Sequence, residues 1–310
     1  MKNKEQRRIE RNARATGCLV GLAVGDALGA ALEFLPREEV RRRHPEGLRE
    51  MVASTIWGAG EYTDDTQMAL LIADSLVEHG RIEAKDLARR FYEWKKTAKD
   101  VGIMTRAVLG MPGYLEAPEE CASRHHKNCP DESAGNGAVM RCAPVAIAFA
   151  DAREKLVEES MASARVTHAD PKAQESCAIL NLWVAEIFSA GQKDGIGAAL
   201  EFVPKKEPNV WRRLGRIRDF GESEVLSSGY TVHTLEAAAW SFLTTESFEE
   251  AVVRAANLGD DADTVGAVCG AVAGAYYGYQ GIPERWIAKL KDERKIRRSA
   301  EALVALARII

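Results

Sequence analysis

Two short acidic motifs lie far apart in the sequence, each after a glycine and each at the head of an apolar stretch. The first is Thr63-Asp64-Asp65-Thr66 and the second is Asp261-Ala262-Asp263-Thr264. One carboxylate in a first helical turn is enough to complement the helix dipole, so helix capping is the simpler interpretation. Paired carboxylates flanked by threonine hydroxyls exceed that need. We therefore predict that the two motifs form one shared site.

The side chains of both motifs offer only oxygen atoms to a ligand. Such donors suit Mg²⁺, Mn²⁺ or Ca²⁺ better than zinc. Carboxylates gathered in one site repel one another unless cations neutralise them, so two divalent cations are the natural arrangement. A pair of cations can orient vicinal hydroxyls or activate water. The second motif lacks the register of an EF-hand loop, and structural calcium is kept as an alternative.

Glycine recurs at every fourth position in two apolar stretches next to these motifs. On a helix, this spacing places the glycines on one face, where another backbone can approach closely. Each glycine costs a helix interior about 1 kcal/mol relative to alanine, so close packing or a site must offset it. Glu33 lies four residues beyond the first series and is either a functional carboxylate or an exposed helix-end residue. The two series are Gly17, Gly21, Gly25 and Gly29, and Gly266, Gly270, Gly274 and Gly278.

Three other positions are candidates for binding or catalysis. Asp100 precedes Val101-Gly102 and is either a helix N-cap, which its position favours, or a catalytic acid. Gly135-Asn136-Gly137 suits either a backbone-lined ligand loop or a plain turn. His168 stands before the expected N-cap Asp170 and faces either solvent or a cleft.

Residues 110–131 have the composition of a loop that contains Cys and His residues at a spacing superficially like that of a zinc site. The usual pair of C-x-x-C-like segments is missing, which argues against zinc, and the role of the cluster stays open. The residues concerned are Cys121, His125, His126 and Cys129.

The composition and the periodicity predict one all-α domain over residues 1–310, a compact multi-helix bundle. The two acidic motifs predict that this domain has a carboxylate-rich dinuclear metal cleft. Residues 1–14 are expected to form an extra N-terminal helix or tail. With 46% hydrophobic and 28% charged residues, the chain is globular, and no alternating strand series is present. The net charge of −4 gives no reason to expect nucleic-acid binding. No apolar run reaches membrane-spanning length and no signal peptide is visible, so six scattered cysteines predict a cytoplasmic protein.

Taken in order, the motifs resemble the ADP-ribosylglycohydrolase family over nearly the whole chain, from about residue 17 to residue 290. The Asp100-Val101-Gly102 turn is closest to the arginine-directed branch that contains the dinitrogenase reductase-activating glycohydrolase. The resemblance implies an all-α fold, a dinuclear Mg²⁺ or Mn²⁺ centre and removal of ADP-ribose from a modified side chain. It rests on Gly25-Asp26-Ala27-Leu28-Gly29 with Glu33, on Gly135-Asn136-Gly137 and on the two acidic motifs.

The resemblance also implies roles for individual residues. Glu33 and Asp100 are the candidate proton-transfer groups, and which of them transfers the decisive proton stays open. Residues expected to cradle ADP-ribose are Gly102, Gly135, Asn136, Gly137 and His168. The metal ligands that it implies are Thr63, Asp64, Asp65, Asp261, Asp263 and Thr264.

The expected substrate is an ADP-ribosylated protein, with the arginine-linked form favoured, or a small molecule that contains ADP-ribose. The glycosidic bond would break through an oxocarbenium-like state that nearby carboxylates stabilise. Two alternatives are kept. The same fold could hydrolyse serine-linked ADP-ribose or O-acetyl-ADP-ribose, or the chain could be a non-catalytic ADP-ribose-binding or structural module.

Overall fold

Helices account for all of the regular structure in the part of the chain that the computed structural model describes, residues 4–203 and 211–309. Within these ranges no β-strand forms, and an isolated bridge joins Gly135 to Tyr230. The all-α prediction is therefore confirmed. The α-helices are α1 Lys4–Gly29, α2 Arg37–Arg43, α3 Asp64–His79, α4 Ala84–Lys95, α5 Ile103–Leu109, α6 Pro118–Asn128, α7 Ala143–Phe149, α8 Arg153–Arg165, α9 Pro171–Ala190, α10 Ile196–Phe202, α11 Thr231–Leu243, α12 Phe248–Ala256, α13 Ala262–Tyr277, α14 Glu284–Lys289 and α15 Glu293–Leu306.

Helices α1 and α13 pack antiparallel through the two glycine series. Gly17 faces Gly274, Gly21 faces Gly270, and Gly25 faces Gly266 across the interface. A methyl carbon on any of these glycines would lie well inside 3.0 Å of a backbone atom of the opposite helix, closer than real Cβ atoms come. The predicted close approach of two backbones is confirmed. It brings the two ends of the chain together at the centre of the fold.

Helix α3 begins at the first acidic motif because Thr63 caps it. The Thr63 Oγ1 atom accepts a hydrogen bond from the Asp65 backbone N–H at 3.4 Å, and Gly80 ends the helix in the left-handed conformation. The helix runs from this cap to His79. The cap and the first turn are buried, which is unusual for acidic residues unless they are paired or bind a ligand.

Two local expectations were wrong. Much of the segment 110–131 is helical, because Pro118 opens α6 and the acids Glu119 and Glu120 fill its first turn. Asp100 is not an N-cap, since α5 begins at Ile103 and Gly102 occupies the cap position. The side chain of Asp100 is about one-third exposed instead.

Candidate active site

The two acidic motifs and the glycine loop line one cleft of about 790 Å³. Of the thirteen predicted site residues, twelve line its wall. Thr63 does not, because it is buried beneath the cleft as the cap of α3. The twelve are Glu33, Asp64, Asp65, Asp100, Gly102, Gly135, Asn136, Gly137, His168, Asp261, Asp263 and Thr264.

The first motif is held in place by a carboxylate of α1 that sequence reasoning gave no role. Asp26 is fully buried, and its Oδ1 accepts a hydrogen bond from the Thr63 backbone N–H at 2.8 Å. Its Oδ2 accepts from the Thr66 backbone N–H at 3.0 Å and from Thr66 Oγ1 at 2.5 Å. Asp26 therefore fixes the start of α3 relative to α1. A charged residue inside an apolar, glycine-rich helix was the signal that could have identified it.

The second motif is anchored through its backbone and through the glycine loop. The Asp261 backbone N–H donates to the carbonyl of Ser227 at 2.9 Å. Asn136 Nδ2 donates to Asp261 Oδ2 at 2.6 Å and is also 2.9 Å from Thr234 Oγ1. The 135–137 loop is thus bonded directly to the acidic motif, and Thr234 is a second residue that sequence reasoning missed.

Glu33 is placed by a strained backbone connection between the two ends of the chain. Phe34 and Asp260 both have positive φ values, 63° and 53°. The Phe34 N–H donates to the Asp260 carbonyl at 2.7 Å, and the Asp260 N–H donates to the Leu35 carbonyl at 2.8 Å. Positive φ costs a non-glycine residue of order 1–3 kcal/mol and is concentrated at functional sites. Here the two hydrogen bonds hold Glu33 beside Asp261 and offset the strain.

Oxygen atoms of Glu33, Asp261 and Asp263 lie within 4.8 Å of one another, a spacing that one cation could bridge. Among the described residues, a second group with metal-like spacing is Glu78, His79 and Asp86, in which Asp86 already forms ion pairs with arginines. The Cys and His residues of α6 and its end form no such group within the described residues. Cys121 contacts Arg124 and His126 contacts Ser133 instead.

The electrostatics of the cleft show that the carboxylates are crowded and poorly solvated. Burial, with Coulombic repulsion from Asp261 and Asp100, raises the pKa of Glu33 to about 8. Burial and the charge of Asp100 raise the pKa of Asp64 to about 7. The pKa values of Asp65 and Asp263 are also raised well above their ordinary value, chiefly by burial. When ionised, these carboxylates repel one another, and bound cations would reduce that repulsion.

A further observation indicates that the oxygen atoms of the two motifs suit divalent cations. The Oδ1 atom of Asp65 is buried and has no hydrogen-bond partner among the described residues. A buried carboxylate oxygen without a partner is costly, and a cation would satisfy it. All nearby donors in the two motifs are oxygens, which suits Mg²⁺ or Mn²⁺.

The all-helical fold gathers carboxylates from two helix starts around a glycine loop in one cleft. A profile of the ADP-ribosylglycohydrolase family matches residues 7–309. The chain belongs to the ADP-ribosylglycohydrolase family. The resemblance drawn from the motifs is thereby confirmed.

Similar proteins cover nearly the whole chain. The ADP-ribosylarginine hydrolase Tri1 of Serratia proteamaculans is 34% identical over 308 residues, which cover 95% of this chain and 80% of that protein. The ADP-ribosyl-[dinitrogen reductase] glycohydrolase of Rhodospirillum rubrum is 35% identical over 300 residues, covering 95% and 96%. A solved structure of an ADP-ribosylglycohydrolase-related protein complex superposes with a TM-score of 0.79 at 33% identity, covering 96% and 99%.

No helix of the described residues is long and apolar enough to cross a membrane.

Proposed function

We propose that this protein hydrolyses the N-glycosidic bond between ADP-ribose and an arginine side chain of a modified protein. The observation that carries the proposal is the convergence of both acidic motifs and the 135–137 loop on one cleft. Support for arginine comes from the Tri1 relative at 34% identity, whose name specifies ADP-ribosylarginine. The name of the relative at 35% identity specifies ADP-ribosylated dinitrogen reductase, which supports a modified protein as the substrate. One domain over residues 1–310 and a cytoplasmic location without nucleic-acid partners complete the proposal.

We further propose that two divalent cations, Mg²⁺ or Mn²⁺, are held between the two motifs. When bound, they would orient the hydroxyls of the distal ribose and supply positive charge near them. Thr63 caps α3 directly before Asp64 and Asp65, and Glu33 has an oxygen within 4.8 Å of oxygens of Asp261 and Asp263, so it could share a cation with them. The proposed ligands are Thr63, Asp64, Asp65, Asp261, Asp263 and Thr264.

The chain's own groups supply charge stabilisation and proton transfer. Carboxylates beside the anomeric carbon stabilise the positive charge that develops as the C–N bond breaks. Water adds to that carbon, and the guanidinium leaves with a proton, so the products are ADP-ribose and unmodified arginine. Proton transfer belongs to Glu33 or Asp100, both on the cleft wall. The loops around Gly102 and residues 135–137, with His168, would bind the rest of ADP-ribose.

A hydrolysis assay on arginine-ADP-ribosylated protein, with EDTA, Mg²⁺ and Mn²⁺ arms, tests the proposal. We expect turnover only with a cation and none in Asp64→Ala or Asp263→Ala. Asp219→Ala is the matched control, because this aspartate is exposed and pairs only with Arg216 in the described residues. Full activity of Asp263→Ala in EDTA would refute the metal-dependent mechanism.

Substrate choice needs parallel arms with serine-linked ADP-ribose and O-acetyl-ADP-ribose. Turnover of these substrates in preference to the arginine-linked one would replace our proposal with the first alternative. Calorimetry with Mn²⁺, with and without ADP-ribose, addresses the second alternative. Binding of ADP-ribose without turnover of any substrate would identify a non-catalytic module.

The pH profiles of Glu33→Gln and Asp100→Asn distinguish the two proton-transfer candidates. Removing the group that transfers the proton should flatten one limb of the profile and lower kcat, by about 10²–10⁴-fold for general acid–base catalysis. Removing the other group should leave that limb in place. If the pH profiles of both variants keep both limbs, neither Glu33 nor Asp100 transfers the proton.

A further inference from the structure

A buried cation with no ion-pair partner among the described residues lies behind the cleft. Arg141 is fully buried, and its hydrogen bonds within the described residues go to a thioether sulfur, a backbone carbonyl and a threonine hydroxyl rather than to a carboxylate. Its guanidinium lies 4.6 Å from the centre of the Phe91 ring. Burial lowers the pKa of Arg141 only to about 10, so it is charged at neutral pH. A buried unpaired charge is expensive, which suggests that it serves the nearby site.

Arg141 is connected to the cleft through one hydroxyl. Its Nη2 atom donates to Thr167 Oγ1 at 2.6 Å, and this oxygen is 2.7 Å from Nδ1 of His168. Thr167 is fully buried, and His168 is 1% exposed. The backbone N–H groups of both residues donate to the Ala164 carbonyl, at 3.0 and 2.7 Å, which fixes their position.

The direction of these hydrogen bonds follows from the hydrogens and lone pairs that each side chain carries. A guanidinium only donates, so the bond from Arg141 uses a lone pair of Thr167 Oγ1. The single hydroxyl hydrogen of Thr167 then needs an acceptor. Within the described residues, His168 Nδ1 is the acceptor in reach. A hydrogen on Nδ1 would leave the Thr167 hydroxyl buried without an acceptor, which is unfavourable.

We infer that Arg141, acting through Thr167, holds His168 in the tautomer with its hydrogen on Nε2, so that the ring presents a hydrogen-bond donor to the cleft. Nδ1 accepts from Thr167 in this arrangement. Burial, with the charge of Arg141, lowers the pKa of His168 well below its ordinary value, so the ring is neutral and has one defined tautomer.

The donor edge of His168 lies against the glycine loop. A methyl carbon on Gly137 would lie 2.9 Å from Cε1 and 3.1 Å from Nε2 of the ring, and one on Gly135 would lie 3.4 Å from Nε2. No hydrogen bond to Nε2 is formed by the described residues. The N–H is therefore free for an oxygen acceptor of a ligand, in a cleft whose other wall is acidic. That use rests on the proposed function; the tautomer itself does not.

Nuclear magnetic resonance of the full-length protein labelled with ¹⁵N-histidine tests the tautomer directly. The chain has only six histidines, so the ring signals can be assigned by substitution. Two-bond ¹⁵N–¹H correlations distinguish a hydrogen on Nε2 from one on Nδ1. We expect the Nε2–H form in wild type and in Thr167→Ser, which keeps the hydroxyl, and loss of the single tautomer in Thr167→Val and Arg141→Met.

A kinetic cycle adds a second measurement. Thr167→Val should raise KM for arginine-linked substrate by about tenfold, the usual worth of one oriented hydrogen bond, with a smaller change in kcat. In a His168→Ala background the same substitution should have no further effect on KM. Unchanged signals of the other five histidines establish that each variant is folded.

The inference is overturned if wild type shows the Nδ1–H form, or if Thr167→Val keeps the Nε2–H form. An equal KM effect of Thr167→Val with and without His168 would also contradict it, because Thr167 would then act by another route. If the tautomer is as expected but no ADP-ribosylated substrate turns over, the positioning role stands and the proposed function fails.

Discussion

The contact between α1 and α13 permits a prediction in which two glycine substitutions lower the stability but only one of them weakens cation binding. Gly29 is the last residue of α1, and a methyl carbon on it would lie 2.5 Å from the Cα atom of Asp263 and closer still to the Ala262 carbonyl. Gly17 lies at the other end of the same interface, where a methyl carbon would lie 2.6 Å from the Gly278 carbonyl carbon. Both methyl groups meet backbone, which cannot move away as a flexible side chain can.

The magnitude follows from the geometry. Real Cβ atoms stay at least 3.0 Å from such neighbours, so Gly29→Ala must displace the backbone at Asp263 by about 0.5 Å or more. Overpacking a core typically costs about 1–3 kcal/mol. The helix propensity of alanine offsets about 1 kcal/mol of this at an interior position such as Gly17. We expect a net loss in unfolding free energy of about 2 kcal/mol for Gly29→Ala and about 1 kcal/mol for Gly17→Ala.

The two variants should differ in cation binding. A displacement of about 0.5 Å at Asp263 exceeds the tolerance of metal–ligand distances, about 0.2 Å. Gly29→Ala should therefore weaken Mn²⁺ binding by about 10–100-fold, as loss of a supporting contact does. Gly17→Ala should leave Mn²⁺ affinity near that of wild type. Urea unfolding and calorimetry measure the two quantities.

A third variant controls for the effect of alanine itself. Gly197 lies inside α10, and a methyl carbon there meets nothing within 4 Å. Gly197→Ala should be neutral or stabilising by up to about 1 kcal/mol. If Gly29→Ala behaves like Gly197→Ala, or if Gly17→Ala weakens Mn²⁺ binding as much as Gly29→Ala, the reasoning about this interface is refuted.

Two more predictions concern the carboxylates. Asp26→Asn offers one acceptor oxygen where Asp26 accepts hydrogen bonds from three donors. The unfolding free energy should therefore fall by about 1–3 kcal/mol and the Mn²⁺ affinity by about tenfold. An unchanged Mn²⁺ affinity in calorimetry would contradict this prediction. Burial raises the folded pKa of Asp64 to about 7 and of Glu33 to about 8, so these two carboxyl groups bind more protons in the metal-free folded protein than in the unfolded chain between about pH 4 and pH 8. Its Tm should fall as pH rises from 5 to 8, and Mn²⁺ should raise Tm more at pH 8 than at pH 6; a Tm that rises with pH would oppose it.

Local signals were sufficient to predict much of the fold. The helix start at the first acidic motif, the N-cap Asp170 of α9 and the two glycine series depend on neighbours within a few residues or on helical spacing, and the structure contains each of them. The prediction of a loop at α6 was wrong because it relied on composition and not on the order of the residues. Its Pro, Glu and His residues are typical of loops as a composition, although their order, with proline first and acids next, favours a helix start.

The long-range contacts of the site could not be predicted from spacing. Nothing near Asp26 indicates that its carboxylate accepts hydrogen bonds from Thr63 and Thr66, about forty residues away. The positive φ values of Phe34 and Asp260 arise from the hydrogen bonds that join these two segments. A left-handed conformation at non-glycine residues is imposed by tertiary structure and has no sequence signature here.

Helix α1 contacts both acidic motifs. Gly29 packs against Asp263, Asp26 binds the start of α3, and Glu33 follows one turn after the helix ends. Asp26 contacts the first acidic motif and Gly29 contacts the second, so a shift of α1 changes the distance between the two motifs. Since these carboxylates repel one another without cations, the packing of α1 must supply the free energy that keeps them together. A substitution that loosens α1 should therefore weaken cation binding before it causes global unfolding.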